Sequence, residues 1–233
     1  MKQTLKTNQG FSLLELMVVI TIIAILASVS FPTYTTVITR ARIMKDVAHQ
    51  DQIVKACKLY AQDWDGLYPA FDTLGDDGGG DAGKFGTSTE AFQELIREVQ
   101  LGTEIIFFTQ GNPEKVRPPN EDGELLPEEN CMTYVLGQTD SSPARSPLTA
   151  DEMQDTGGTF GAGHPWLKSR QAVVGYCGGQ VKKEKLTGTT EGATIRGPAG
   201  SGITNIFQEA EEDEEGKISG GWLSVSADNV LLP

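Results

Sequence analysis

Apolar residues run almost unbroken over positions 11–31, FSLLELMVVITIIAILASVSF, and only after that stretch does the chain settle into a repeating mixture of apolar and polar positions. A helix rising ~1.5 Å per residue needs about 20 residues to cross a bilayer core of ~30 Å, so the run predicts a helix of membrane length. One charge breaks it. Glu15 lies four residues into the run, where burial in lipid costs about 2.5 kcal/mol or more unless the carboxylate finds a partner. Over 33–64 the pattern changes to that of an amphipathic helix: Ile43, Val47, Val54, Cys57, Ala61 and Trp64 recur at intervals of three, four or seven, while Arg40, Arg42, Lys45, Asp46, Asp51 and Lys58 form a polar face. Pro32 stands between the two regimes, removes a backbone donor and crowds the Ser28 carbonyl, which predicts a kink that a transmembrane helix tolerates. The expectation is one nearly continuous helix over about 11–64, with two helices broken near Pro32 as the alternative. Asp63-Trp64-Asp65-Gly66 has the composition of a stop and turn.

Beyond that turn the signals are those of a small mixed head. Thr87-Ser88-Thr89-Glu90 offers a capping box, and Phe92, Leu95, Ile96 and Val99 then form the apolar face of a short helix expected to cover a sheet. Strand composition is found over 104–109 (EIIFFT), 132–136, 172–176, 180–185 and 222–225, with Gly178-Gly179 suited to a tight hairpin turn. The stretches 71–86, 111–129 and 140–163 are rich in Gly, Pro and acid and read as loops. The acidic run 209–215, EAEEDEE, reads as a solvated loop, with cation binding or a basic partner as the alternative.

Length and charge narrow the function. The 233 residues, 38% hydrophobic, suit one anchor helix, here 11–64, and one modest globular domain over 65–233. A net charge of −13 repels phosphate backbones, so nucleic acid is not an expected partner. Cys57, Cys131 and Cys177 are spaced outside metal-ligand patterns; in an oxidising compartment one pair can close and leave one thiol free. The pairing stays open, with Cys131 and Cys177 preferred because Cys57 falls on the helix.

The first ten residues, MKQTLKTNQG, carry Lys2 and Lys6 and no acid, and they end in glycine against the apolar run. Positive flanks stay cytoplasmic. An ordinary secretory signal places its small-residue cleavage site after a shorter apolar core, whereas here the small residue comes first. Gly10-Phe11-Ser12-Leu13-Leu14-Glu15 followed by the apolar run resembles the class III prepilin signal shared by type IV pilins and the pseudopilins of type II secretion systems. The resemblance implies a leader peptide over 1–10, cleavage between Gly10 and Phe11 by a prepilin peptidase, methylation of the new Phe11 amine, and polymerisation through the apolar helix. Loss of Lys2 and Lys6 with the leader takes the net charge from −13 to −15. It also supplies a purpose for Glu15: a neighbouring subunit's Phe11 amine can neutralise the carboxylate and set the register of one helix on the next. Pro32 extends the likeness, since many type IV pilins carry a proline at the corresponding point. The implied fold is α+β and pilin-like, a long protruding N-terminal helix packed on a C-terminal antiparallel sheet.

A second stretch, Leu59-Tyr60-Ala61-Gln62-Asp63-Trp64-Asp65-Gly66-Leu67-Tyr68-Pro69, resembles the hand-over from helix to head in type II pseudopilins and favours that branch over retractile pili. The implied partners are copies of the chain itself in a homopolymer or mixed filament, the peptidase, and an inner-membrane assembly platform with its ATPase. The implied location is the bacterial inner membrane, single-pass, with a periplasmic head. A pilus subunit for adhesion or DNA uptake and a signal-anchored periplasmic binding domain are the competing readings. Gly78-Gly79-Gly80-Asp81-Ala82-Gly83-Lys84-Phe85 imitates a phosphate-binding loop, yet Phe85 stands where Ser or Thr is required and no apolar strand precedes it. Asp72, Asp76, Asp77 and Asp81 are candidate calcium ligands, a solvated acidic loop being the favoured reading, and no other cofactor is expected. His49 and His164 have no nucleophile or carboxylate at a recognisable motif spacing, so a structural protein is expected and not an enzyme.

Overall fold

The computed structural model describes residues 11–70, 85–112, 115, 118–212 and 218–233. Two compact units divide it, one ending at Ala41 and the other running Arg42–Pro233. The first helix, α1 (Leu13–Asp63), passes through Pro32 as one element and not as two broken helices. In the first unit, hydroxyls inside the apolar stretch are satisfied by the helix's own carbonyls: Thr21 Oγ1 donates to Met17 O at 2.7 Å, Ser28 Oγ to Ile25 O at 2.7 Å and Ser30 Oγ to Leu26 O at 2.8 Å. Each back-bond spares a polar group from facing an apolar solvent unpaired.

In the second unit the rest of the sequence-predicted stripe becomes core. Ile43, Val54, Cys57 and Ala61 are buried and Val47 is half-buried, joined by Ile53 and Tyr60. Trp64, expected on the stripe, is 37% exposed and stacks on Tyr60 with ring centroids 5.4 Å apart. Asp46, expected on the polar face, is instead buried, because its Oδ2 accepts the Trp166 indole N–H at 2.7 Å. The helix stops where Asp65 and Gly66 take left-handed backbone, φ 48° and 81°, and Gly66 N–H closes on the Ala61 carbonyl at 2.8 Å. Glycine adopts that conformation without steric cost.

Among the described residues the head holds α2 (Ser88–Val99) and β1 (Met132–Val135), β2 (Pro147–Asp151), β3 (Gln171–Tyr176), β4 (Val181–Lys185), β5 (Ala210–Glu212), β6 (Ile218–Gly220) and β7 (Val230–Leu231). Five strands form an antiparallel sheet in the order β4-β3-β2-β1-β7, and β5 and β6 form a separate ribbon. The α2 capping box is present as expected, with Thr87 and Glu90 satisfying each other's backbone N–H groups. Phe92, Leu95 and Ile96 pack inward, and the Ser88 hydroxyl donates to Met132 O at 2.7 Å, which seats α2 on β1. Both faces of the sheet are covered. Met132 and Tyr134 face a cluster that includes α1 and α2, while Val135, Ala150, Ala172 and Val174 face Met153, Phe160, Ile206 and Phe207 from the long connections. Strands buried on two faces read as apolar runs and not as alternation.

Four expectations from the sequence are corrected. The run 104–109 is not a strand but a 3-10 turn, Ile105–Phe107; Phe107 stacks on Phe92 at 4.7 Å, and the Glu121 carboxylate accepts the Glu104 and Ile105 N–H groups, so no ladder forms. The segment 222–225 is no strand either; it makes a single bridge, Leu223 to Glu209. The loop assigned to 140–163 contains β2, the middle strand of the sheet, whose Thr149 and Asp151 conceal it behind polar side chains that meet Gln50 of α1. The acidic run enters β5, paired residue for residue with β6 as far as Glu212–Ile218. The Gly178-Gly179 hairpin between β3 and β4 is as expected, with Gly179 at φ 86° and its N–H on Tyr176 O at 2.8 Å.

The join between α1 and the sheet is close and polar. A Cβ placed on Gly175 would lie 2.4 Å from Thr149 Oγ1 and 2.6 Å from Val54 Cγ2, so only glycine lets the helix come this near. Beside it Gln50 donates to Asp151 Oδ1 at 2.9 Å and to Val173 O at 3.1 Å, and Val173 N–H donates to Asp151 Oδ2 at 2.8 Å. Burial raises the Asp151 carboxyl above its ordinary range, while these two N–H donors favour its charged form. Burial, and then the charge of Asp151, push Asp46 from 3.8 up to about 8. Both carboxyls therefore keep a proton to a higher pH than a solvated aspartate, Asp46 more so than Asp151.

Two outcomes follow from this join. Gly175→Ala should destabilise the head by about 1–3 kcal/mol through overpacking, read as a lower thermal midpoint of the full chain in detergent; an unchanged midpoint would mean the contact is slack. Between about pH 4 and 8 the folded head keeps protons on Asp46 and Asp151 that the unfolded chain has lost, so stability falls as pH rises through this window and levels off above it. Asp46→Asn keeps an acceptor for Trp166 and cannot ionise. It should lessen the decline, leaving the part that Asp151 contributes, and raise stability above pH 8 by on the order of a few kcal/mol, at ~1.4 kcal/mol per pKa unit. A variant with the wild-type pH profile would refute the assignment.

Candidate functional site

The start of α1 is built by two polar residues. Ser12 Oγ accepts the Leu14 N–H at 3.3 Å, and Glu15 Oε2 accepts the Ser12 N–H at 2.9 Å. Together they cap the helix start, satisfying backbone donors that no helical carbonyl can reach and setting a negative charge at the positive end of the helix dipole. Sequence reasoning missed this local role, although Ser12-x-x-Glu15 before an apolar run is its signature. The other carboxylate oxygen, Oε1, has no partner among the described residues. Glu15 thus closes its own first turn and still presents one oxygen to a cation.

The surface that follows is apolar on every side. Phe11 is 84% exposed, and Leu13, Leu14, Leu16, Ile20, Ile23, Ile25, Leu26, Val29 and Phe31 are exposed as well. None of the most apolar stretch is buried within the chain, which separates it from the core helix of a soluble protein. A helix hydrophobic all round needs either lipid or other helices against it. Phe11, Glu15 and the backbone of Pro32 lie on this element, while Gly10 and the rest of the leader are outside the described residues.

The remaining candidates separate from this site. Asp72, Asp76, Asp77 and Asp81 lie outside the described residues; the adjoining Phe85 is buried in the core cluster, a packing residue and not a phosphate-loop position. Among the described residues no group of three or more His, Cys, Asp or Glu side chains is placed to hold a metal. Burial lowers the pKa of His49, helped by Lys45 and opposed by the Phe108 carbonyl. His164 lines clefts of about 350 and 680 Å³, but its Nε2 lies 2.9 Å from Gln171 O, and burial pushes its pKa down to about 4, against the Gln171 and Glu152 carbonyls. A neutral ring held this way fixes the 161–167 connection to β3. The three cysteines are free and buried, and the preferred Cys131–Cys177 bond is not formed. Cys131 belongs near Thr109, Glu152 and Lys115, whereas Cys177 faces Lys58 and Asp140, so the two sulfurs occupy different surroundings.

The prokaryotic N-terminal methylation motif matches residues 5–31, a span that takes in Gly10, Phe11 and Glu15. No solved structure matches the chain. The motif implies processing by a prepilin peptidase and filament assembly, and with the apolar helix it points to a membrane-anchored protein. A prepilin-type methylation motif, a long apolar N-terminal helix directly after it, and an antiparallel sheet packed on the distal part of that helix together make this chain consistent with a type IV pilin-like protein.

Proposed function

We propose that the chain is a non-catalytic structural subunit of a type II secretion pseudopilus. It is cut between Gly10 and Phe11, methylated on Phe11, and drawn by an inner-membrane platform and its ATPase into a filament that supports protein secretion. The observation that carries the reading is the methylation motif set against an apolar helix whose side chains find no cover within the chain. Such a surface leaves lipid most favourably for an equally apolar neighbour that also neutralises its one charge. Glu15 Oε1 is the oxygen available to the neighbour's Phe11 amine while Oε2 keeps the helix start closed. In this reading the anchor sits in the inner membrane, and the acidic head stands in the periplasm and faces outward from the filament. The Leu59–Pro69 likeness supports the secretion branch over a pilus for adhesion or DNA uptake, and its Asp65-Gly66 turn adopts the left-handed geometry that ends α1. Calcium held by Asp72, Asp76, Asp77 and Asp81 would be an addition to this role and not its basis.

Mass spectrometry of the N-terminus of protein from membranes should show a chain beginning at methylated Phe11. A chain that keeps residues 1–10 would leave a signal-anchored periplasmic domain instead. Glu15→Gln keeps an acceptor for the Ser12 N–H and removes the charge, so it separates the two roles of that residue. It should insert and be cleaved normally yet lose most filaments, a buried amine without its carboxylate costing about 3–5 kcal/mol. Wild-type filament yield from this variant, counted by electron microscopy, would reduce Glu15 to a helix cap.

A further inference from the structure

Strand side chains alternate, so Val173, Gly175 and Cys177 point to one side of β3 and the turn after it. That side faces α1. Val173 clusters with Ile43 and Trp166, the Cβ position of Gly175 lies against Val54, and Cys177 shares the core cluster that holds Ile53, Val54 and Cys57. Strand and helix advance in the same direction along this contact. From Gly175 to Cys177 the chain moves ~6.6 Å and from Val54 to Cys57 the helix climbs ~4.5 Å on the same stripe, so both cysteines follow the Gly175–Val54 contact on the same side. The next contact closes the bracket, since a Cβ on Gly179 would lie 3.2 Å from Lys58 Cε. Cys57 and Cys177 thus lie between the Gly175–Val54 and Gly179–Lys58 approaches, with the missing side chain at Gly175 letting the helix come close.

We infer that Cys57 and Cys177 are a disulfide pair, closed in an oxidising compartment to join α1 covalently to the β3–β4 hairpin. Burial, and then Cys177 beside it, push the Cys57 thiol well above its usual range; burial raises Cys177 to about 12. Neither is a nucleophile inside the folded head, so the bond forms while the head is open. One thiolate attacks a sulfur of an oxidant of the disulfide class, such as oxidised glutathione or an oxidoreductase in its disulfide form, breaking its S–S bond and releasing the other sulfur as a thiolate. The second thiolate attacks the mixed disulfide and releases the oxidant as thiol, so two electrons and two protons leave the pair. Cys131, in different surroundings, stays free. The crosslink closes a loop of about 120 residues and ties the helix that would bear axial load to the sheet it carries, whether or not the chain polymerises.

The test uses the full chain in detergent. It is equilibrated in a glutathione redox buffer with enough urea to open the head, returned to native conditions, and its remaining thiols are alkylated for peptide mapping. The expected result is a Cys57–Cys177 crosslinked peptide, a single alkylated cysteine at 131, and a thermal midpoint raised by roughly 10 °C over reduced protein. Cys131→Ser should leave the crosslink and the shift intact, while Cys57→Ser should abolish both. Three alkylated cysteines, stable glutathione adducts, or any bond to Cys131 would overturn the inference. Because the mapping reads covalent connectivity, a variant that folds poorly does not obscure it.

Discussion

Gln50 is the point from which the head is built. Its amide donates to Asp151 and to the Val173 carbonyl, and its oxygen accepts the Thr149 hydroxyl at 3.1 Å, so one side chain on α1 engages both β2 and β3. An apolar stripe alone would allow a helix to slide or rotate on a sheet at small cost, because dispersion contacts are not directional. A buried amide meeting three directional partners does not allow it, since a shift of one residue would strand donors and acceptors away from water. The absence of a side chain at Gly175 and the burial that raises both Asp46 and Asp151 go with holding α1 at this height and this distance.

The other end of α1 solves a different problem. Its first turn must be capped and its circumference must be apolar, and one residue serves the cap while breaking the apolarity. Glu15 is costly in lipid but favourable at a helix N-terminus, where the dipole and the Ser12 N–H both favour its charge. What makes the carboxylate useful in a filament is that capping occupies only one of its oxygens. Hydroxyl back-bonds from Thr21, Ser28 and Ser30 keep the rest of the stretch free of unmet polar groups, so the carboxylate is its single strong electrostatic feature.

Much of this architecture is legible along the chain. A membrane-length apolar run, a change to helical spacing after Pro32, the Asp65-Gly66 stop and the Thr87–Glu90 capping box are local signals, each set by residues within one or two turns of one another, and each appears as expected. Where reading failed, the deciding partner lay far away in sequence. Apolar EIIFFT becomes a turn because the Glu121 carboxylate takes its N–H groups, and Asp46 leaves the polar face because Trp166 donates to it. The middle strand β2 looks like loop because Thr149 and Asp151 are polar, and their partner Gln50 is about a hundred residues upstream.

The sequence by itself determined that a greasy helix begins the chain, that a carboxylate interrupts it, and that a small mixed head follows, because hydrophobic period and capping chemistry act over short range. Only the tertiary structure decided which polar residues are buried, which carboxyls hold their protons to higher pH and which thiols share the core beside α1. Those are properties of distances between segments, and chain order does not encode such distances until the helix has closed on the sheet.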